Sequence, residues 1–238
     1  MIKIEKTDVF GWESAIRGMR NPMNSWDKSD SKWNYAFEAT YDIGENDLKL
    51  MKSLSKAGSD HSKYLRYIVV QLDITAPLYW WKEFKTYRRG RQFMDDGDEF
   101  LDPEELEMFI ETNSCSTMHK IHANEFALED FSHEKLLQGY VNDLFINSRG
   151  KLIDTIEHLN FMRTMYLETK DKLFWEQMII LLPSSYNQKR TVQLNYQVLK
   201  SMYFARKNHK LDEWREFCKW IESLPYSELI TGEVNNRE

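Results

Sequence analysis

Cysteine is almost absent: Cys115 and Cys218 are the whole complement in 238 residues. Two thiols cannot build a secreted disulfide framework or a structural metal quartet. Glycine and proline are also sparse, at 9 and 5 residues, which excludes collagen-like and loop-dominated chains. No long apolar run is present, and the start, Met1-Ile-Lys-Ile-Glu-Lys, is short and mixed in charge, so neither a membrane span nor a secretory leader is expected. Positive charge is in deficit, with 32 Lys and Arg against 38 Asp and Glu, a net charge of −6. That balance gives no general affinity for a nucleic acid polymer, so basic groups matter only where they cluster. The expectation is a soluble, reduced, cytoplasmic protein with no membrane partner.

What the chain does have is ordered, core-forming material. Aromatics make up 14% of it and there are 11 methionines, which is a globule's composition rather than a tail's. The length suits a single domain over residues 1–238 with a substantial core. Ile2 and Ile4 alternate with lysines and predict an edge strand, whereas residues 20–44 read as an irregular connection. Leu48, Met51, Leu54 and Ala57 form a helical stripe stopped at Gly58. Tyr64 to Leu72 is the best strand, β-branched and aromatic.

From Asp95 to Glu107 the chain is strongly acidic, and Asp102-Pro103-Glu104-Glu105 is a good helix start. A calcium loop at Asp95–Glu99 lacks the alternating ligands and the distant Glu, so this stretch, about residues 91–111, is expected to be a solvated acidic insertion. From Ser132 onward helix is predicted almost throughout. One apolar face is Leu136, Leu137, Tyr140, Val141, Leu144 and Phe145; others begin at Leu152 and Leu173; segments 191–207 and 211–223 complete the set. The fold class is therefore α+β, a small antiparallel β-sheet packed with many α-helices.

Two segments carry the chemistry. Thr75-Ala-Pro-Leu-Tyr-Trp-Trp-Lys-Glu-Phe-Lys-Thr-Tyr-Arg88 reads as a capped helix with Pro77 in its first turn and a basic far end. Asn113-Ser-Cys-Ser-Thr-Met-His119 reads as a polar loop. A cationic helix end beside a polar loop can hold a phosphate-bearing ligand, although the same cations also complement the helix macrodipole. Tyr87 and the Trp80–Trp81 pair are readable either as stacking platforms or as core.

In order and spacing these segments resemble the flavin-dependent thymidylate synthases. Their signature opens with Arg-His-Arg, where this chain has Thr86-Tyr87-Arg88, and continues through Asn-Glu-x-Ser, where it has Asn113-Ser114-Cys115-Ser116. Met118-His119 stands where the family has Arg-Tyr, and the segment between Gly90 and Thr112 is extra. Upstream, ungapped counting from Pro77 puts His61 on the first histidine of the family's Gly-His stretch. Downstream, Leu182-Pro183, Asn195, Leu199 and Arg206 keep the spacing of Leu-Pro, Asn-x-Arg-Ser-Leu and the closing Leu-Arg. The likeness covers residues 45 to 222. Thr86, Tyr87, Ser114, Ile179 and Gln197 also depart from it, replacing charged or histidine groups, and the Glu-His pair of the upstream stretch falls on Arg66-Tyr67.

The resemblance implies a flavin-dependent thymidylate synthase-like fold that binds FAD and methylates dUMP, with 5,10-methylenetetrahydrofolate and NADPH as co-substrates, assembled as a homotetramer. It implies catalytic positions at Arg206, Ser116 and His61, and cofactor contacts at Arg88, Asn113, Asn195 and His209. Arg206, Ser116 and Glu83 become the substrate-binding set, with no metal. Two alternatives stay open: a related enzyme modifying another pyrimidine nucleotide, such as a hydroxymethylase, or a non-catalytic nucleotide-binding protein. Each residue also has a plain reading: Arg206 as a helix C-terminal charge, His61 as a turn residue, Ser116 as a loop hydroxyl, and Asn195 as a polar helix position.

Overall fold

The computed structural model describes residues 2–36, 39–58, 60–88 and 110–232. The acidic insertion, Arg89 and Arg91 lie outside the described residues, apart from the insertion's end at Ile110 and Glu111. Among the described residues the architecture is α+β, with a small antiparallel sheet and many helices. The main sheet has four strands in the order β1-β4-β8-β5: β1 is Lys3–Phe10, β4 Val69–Pro77, β5 Glu111–Ser114 and β8 Asn187–Asn195. The edge strand expected from Ile2 and Ile4 is β1.

The chain divides into two compact units built from discontinuous segments. The first comprises Met1–Lys3, Ile74–Phe84 and Asn113–Arg190; the second comprises Ile4–Asp73, Lys85–Thr112 and Thr191–Glu238.

In the first unit, β4 ends at Pro77 and helix α3 occupies Leu78–Phe84. Thr75 and Pro77 belong to the strand, not to the helix start predicted for them. The first amides of α3 are satisfied by a loop instead: Leu78 N donates to Tyr186 O and Tyr79 N to Ser184 O, each at 3.0 Å. Trp80 and Trp81 are fully buried, so both are core. The predicted helix face over residues 136–145 is a hairpin, β6 (Gln138–Val141) paired antiparallel with β7 (Leu144–Asn147). Asn142 and Asp143 both take positive φ, 48° and 63°. That is the two-residue turn whose twist matches an antiparallel pair, and aromatic and β-branched neighbours then outweigh the helical spacing. Helices α4 (Ser148–Thr169) and α5 (Lys172–Ile180) follow, capped by Asn147 and Asp171. Leu152, Ile156, Leu159 and Met178 close a core with Ile121, Phe126 and Phe131.

In the second unit, α1 (Trp12–Arg20) and α2 (Glu45–Lys56) flank the segment read as irregular. It contains a short hairpin, β2 (Lys32–Asn34) with β3 (Thr40–Asp42), and a buried ion pair ties the end of α1 to α2. Arg20 Nε meets Asp47 Oδ1 at 2.6 Å, and Asp47 Oδ2 also accepts from the Ser29 and Ser31 hydroxyls at 2.6 Å. Asp30 caps α2 from a distance, accepting from Asn46 N and Asp47 N at 2.9 and 3.1 Å. A side chain at Gly44 would run into that carboxylate, 2.2 Å from a Cβ.

Residues 191–195, predicted as helix, complete strand β8; helix α6 is Tyr196–Arg206. The inward positions alternate Gln188, Arg190, Val192, Leu194, and two polar residues among them hide the period-two pattern. Helix α7 (Asp212–Glu222) and the short α8 (Glu228–Thr231) finish the unit around Trp214, Phe217, Ile221 and Leu229.

Candidate functional site

Helix α6 organises the site residues of the second unit. Its inner face, Val198, Leu199, Met202 and Tyr203, is buried, which sets Arg206 at the rim of the last turn. Arg206 Nε donates to Tyr87 Oη at 2.7 Å. The guanidinium also lies over two rings, 5.4 Å from the centre of Tyr87 and 4.8 Å from that of Trp214. Those rings meet edge-on at 5.9 Å. A planar cation anchored through Nε and set over two aromatic rings has a fixed orientation, which a flexible ammonium would not have.

His209 joins the same cluster. Its ring packs edge-on to Trp214 at 6.2 Å, and its Nδ1 accepts from Leu211 N at 3.2 Å. An accepting Nδ1 puts the neutral ring's proton on Nε2. Its backbone N donates to Arg206 O at 2.9 Å, tying the turn to the helix end. Nearby Cys218 is buried; burial pushes its thiol up to about 12, Glu222 adds to that, and Arg206 and Lys207 offset it only in part. It is no nucleophile at neutral pH.

Asn195 and His61 belong to the other end of α6. Asn195 is the helix N-cap, its Oδ1 accepting from Val198 N at 3.0 Å. That leaves the amide's N–H donors for another acceptor. His61 is an exposed turn residue after α2. The adjacent Ser62 is buried and donates to Gln197 Oε1 at 3.1 Å, so Gln197, one of the departed arginine positions, docks the His61 turn on α6. Eleven residues at 1.5 Å each separate the two ends by ~16 Å along the axis. Arg88 closes the 3-10 turn Lys85–Arg88, which also presents Tyr87.

The remaining predicted residues lie in the first unit. Asn113 is in β5, and Glu83 is half-buried on α3. Ser116 is exposed, its Oγ accepting from Met118 N at 3.3 Å. Cys115, just before it, is pinned to β8: its N donates to Lys189 O at 3.1 Å and its Sγ contacts the same oxygen at 3.2 Å. Of the basic residues in this unit, Lys82 and Lys189 are exposed, whereas Arg190 is buried. Sequence reasoning missed the partnership of Tyr87 and Trp214 with Arg206, because no local spacing joins three distant segments.

Among the described residues no cluster of His, Cys, Asp and Glu could hold a metal ion, and no helix is long and apolar enough to cross a membrane. No family model matches the sequence, and no curated protein does. Solved structures do match. Two structures of the flavin-dependent thymidylate synthase ThyX from Helicobacter pylori, both with FAD and dUMP, are similar over 95% and 96% of this chain and 96% of theirs, with a TM-score of 0.62 and 14% and 13% identity. This chain has the flavin-dependent thymidylate synthase fold. The UMP/dUMP methylase PolB from Streptomyces cacaoi, solved with 5-Br dUMP, is similar to it as well, with a TM-score of 0.57 and 12% identity over 98% of this chain and 94% of the other.

Proposed function

We propose that the chain is a flavin-dependent thymidylate synthase: it binds FAD and converts dUMP to dTMP, taking a methylene group from 5,10-methylenetetrahydrofolate. The observation that carries this reading is the Arg206 cluster. Two family-spaced positions, Tyr87 in the 3-10 turn Lys85–Arg88 and Arg206 at the end of α6, meet through a hydrogen bond at 2.7 Å. The fold shared with a synthase that binds FAD and dUMP supports it independently.

The residues fit the ligands chemically. Arg206, fixed in plane by Tyr87 and Trp214, can direct its Nη donors at a pyrimidine carbonyl and stabilise the negative charge that develops there. Asn195, with its oxygen spent on the helix cap, offers N–H donors to flavin acceptors. His209, proton on Nε2, offers one more donor beside Trp214. Ser116 positions the base rather than attacking it. Bound FAD would supply hydride, with NADPH as the reductant. Asn195 and Arg206 sit at opposite ends of one helix, which suits a homotetramer in which one helix serves more than one site. The setting is the cytoplasm.

The similarity to a UMP/dUMP methylase favours one second reading, the same chemistry on another pyrimidine nucleotide. Incubation with FAD, NADPH, methylenetetrahydrofolate and either dUMP or UMP, with products resolved by mass, separates the two. Formation of dTMP supports the synthase. A hydroxymethylated product, or turnover only with UMP, supports the second. Absence of any flavin binding and any product overturns both.

A further inference from the structure

The inward face of β8 carries a buried cation in the first unit. Arg190 is 6% exposed and Gln188 5%, at positions where the same strand later places Val192 and Leu194. A guanidinium out of water is costly unless it is held, and this one is held tightly. Its Nε and Nη2 both donate to Gln188 Oε1, at 3.0 and 2.7 Å, and its plane lies 4.3 Å from the Trp81 ring. Trp81 in turn donates its Nε1–H to the Gln188 backbone oxygen at 2.9 Å.

This arrangement leaves the Gln188 amide no choice of direction. Two guanidinium donors require its oxygen on the Arg190 side, so its nitrogen faces the opposite way. There Nε2 donates to the Cys115 backbone oxygen at 2.6 Å. Cys115 is already tied through its own N to Lys189, and Ser116 is the next residue.

We infer that Gln188 and Arg190 are positioning residues for Ser116: the buried guanidinium orients the Gln188 amide, and that amide holds the Cys115–Ser116 peptide in one conformation. The inference rests on the proposed reading of Ser116 as a nucleotide contact and extends it to residues with no place in the family motifs. The chain runs Trp81, Arg190, Gln188, Cys115, Ser116, with each polar link made by a hydrogen bond or a cation over an indole.

Gln188→Glu isolates the effect. The carboxylate still accepts from Arg190 and gains an ion pair with it, but loses the N–H donor and turns an oxygen toward the Cys115 carbonyl. Gln188→Met removes both links and serves if the first variant folds poorly. Two readouts are needed, the rate of Cys115 alkylation by iodoacetamide and the Kd for dUMP by titration calorimetry. Cys115 is exposed and Cys218 buried, so labelling reports the Ser116 segment itself. We expect the melting temperature of Gln188→Glu to hold, the alkylation rate to rise several-fold, and dUMP affinity to fall roughly 10-fold, the scale of one lost hydrogen bond to an ordered segment. Unchanged alkylation in both variants overturns the inference. So does faster alkylation with dUMP affinity unchanged, because the network would then be scaffold only. Faster alkylation in a protein whose wild type binds no dUMP would instead overturn the nucleotide reading, while the link from Gln188 to the segment stands.

Discussion

Arg206 and Tyr87, 119 positions apart in the sequence, are joined by one hydrogen bond from Nε to Oη at 2.7 Å. The tyrosine occupies the slot where the resembled signature has histidine, and its phenol oxygen anchors the arginine. The aromatic face of Trp214 completes the clamp.

Replacing Arg206 with lysine keeps a positive charge but loses the planar fork and the stacking on two rings. The fold and FAD binding should survive while turnover of dUMP falls roughly 100-fold or more, the scale of one preorganised donor. Flavin reduction by NADPH, measured alone, should change far less. Steady-state turnover beside anaerobic flavin reduction checks both.

Tyr87→Phe keeps the ring beside Trp214 and removes the acceptor for Arg206 Nε. Turnover should drop roughly 10-fold, about one hydrogen bond to a charged group, and more through kcat than through KM. An equal or larger effect on thermal stability would make Tyr87 a packing residue instead.

The buried pair at Arg20 and Asp47 sets an acid limit on the second unit. Burial alone would raise the Asp47 carboxyl, but hydrogen bonds from Ser29, Ser31 and Arg20, with the charge of Arg20, hold it below the usual carboxylate range. The unfolded chain therefore binds this proton more readily than the folded one. The stabilisation is complete above the ordinary carboxylate value, about 4, and is lost as pH falls through the lower folded value. Asp47→Asn should cost about 3 kcal/mol at neutral pH, the scale of a broken buried pair, and flatten the acid limb. Urea denaturation of both proteins across acidic pH measures this.

Helices α4 and α5 and the β6–β7 hairpin expose Tyr140, Leu144, Phe145, Phe161 and Ile180, the last three at 58%, 56% and 71%. A tetramer would cover such surface. Light scattering should give the mass of a homotetramer, and Phe161→Glu should shift it to smaller species. A monomeric mass with full FAD occupancy would contradict the shared-site reading.

Much of the fold was legible in the sequence because it follows local rules. The stripe ending at Gly58 is α2, the apolar run before Pro183 is α5, and Ile2 and Ile4 mark an edge strand. The misses lie where local signals compete: Tyr64 to Tyr67, read as strand, form a 3-10 turn and β4 begins only at Val69, running on through Thr75 and Pro77. Residues 136–145 satisfy a helical spacing and a hairpin pattern at once, and only the positive φ at Asn142 and Asp143 decides between them. Strand β8 hides its alternation because its inward positions include Gln188 and Arg190, whose burial depends on Trp81 and Cys115 far away in sequence. The site was legible to the same degree. Arg206 stood out by spacing, but its partners Tyr87 and Trp214 are tertiary neighbours that no window contains.

The most direct test of the central claim is the visible absorbance spectrum of the purified protein, recorded with added FAD and then titrated with dUMP. The account predicts the two-banded spectrum of bound oxidised flavin, near one per chain, with bands that shift as dUMP fills the site beside it. A protein that retains no flavin after desalting, with a spectrum that dUMP leaves unmoved, would contradict it.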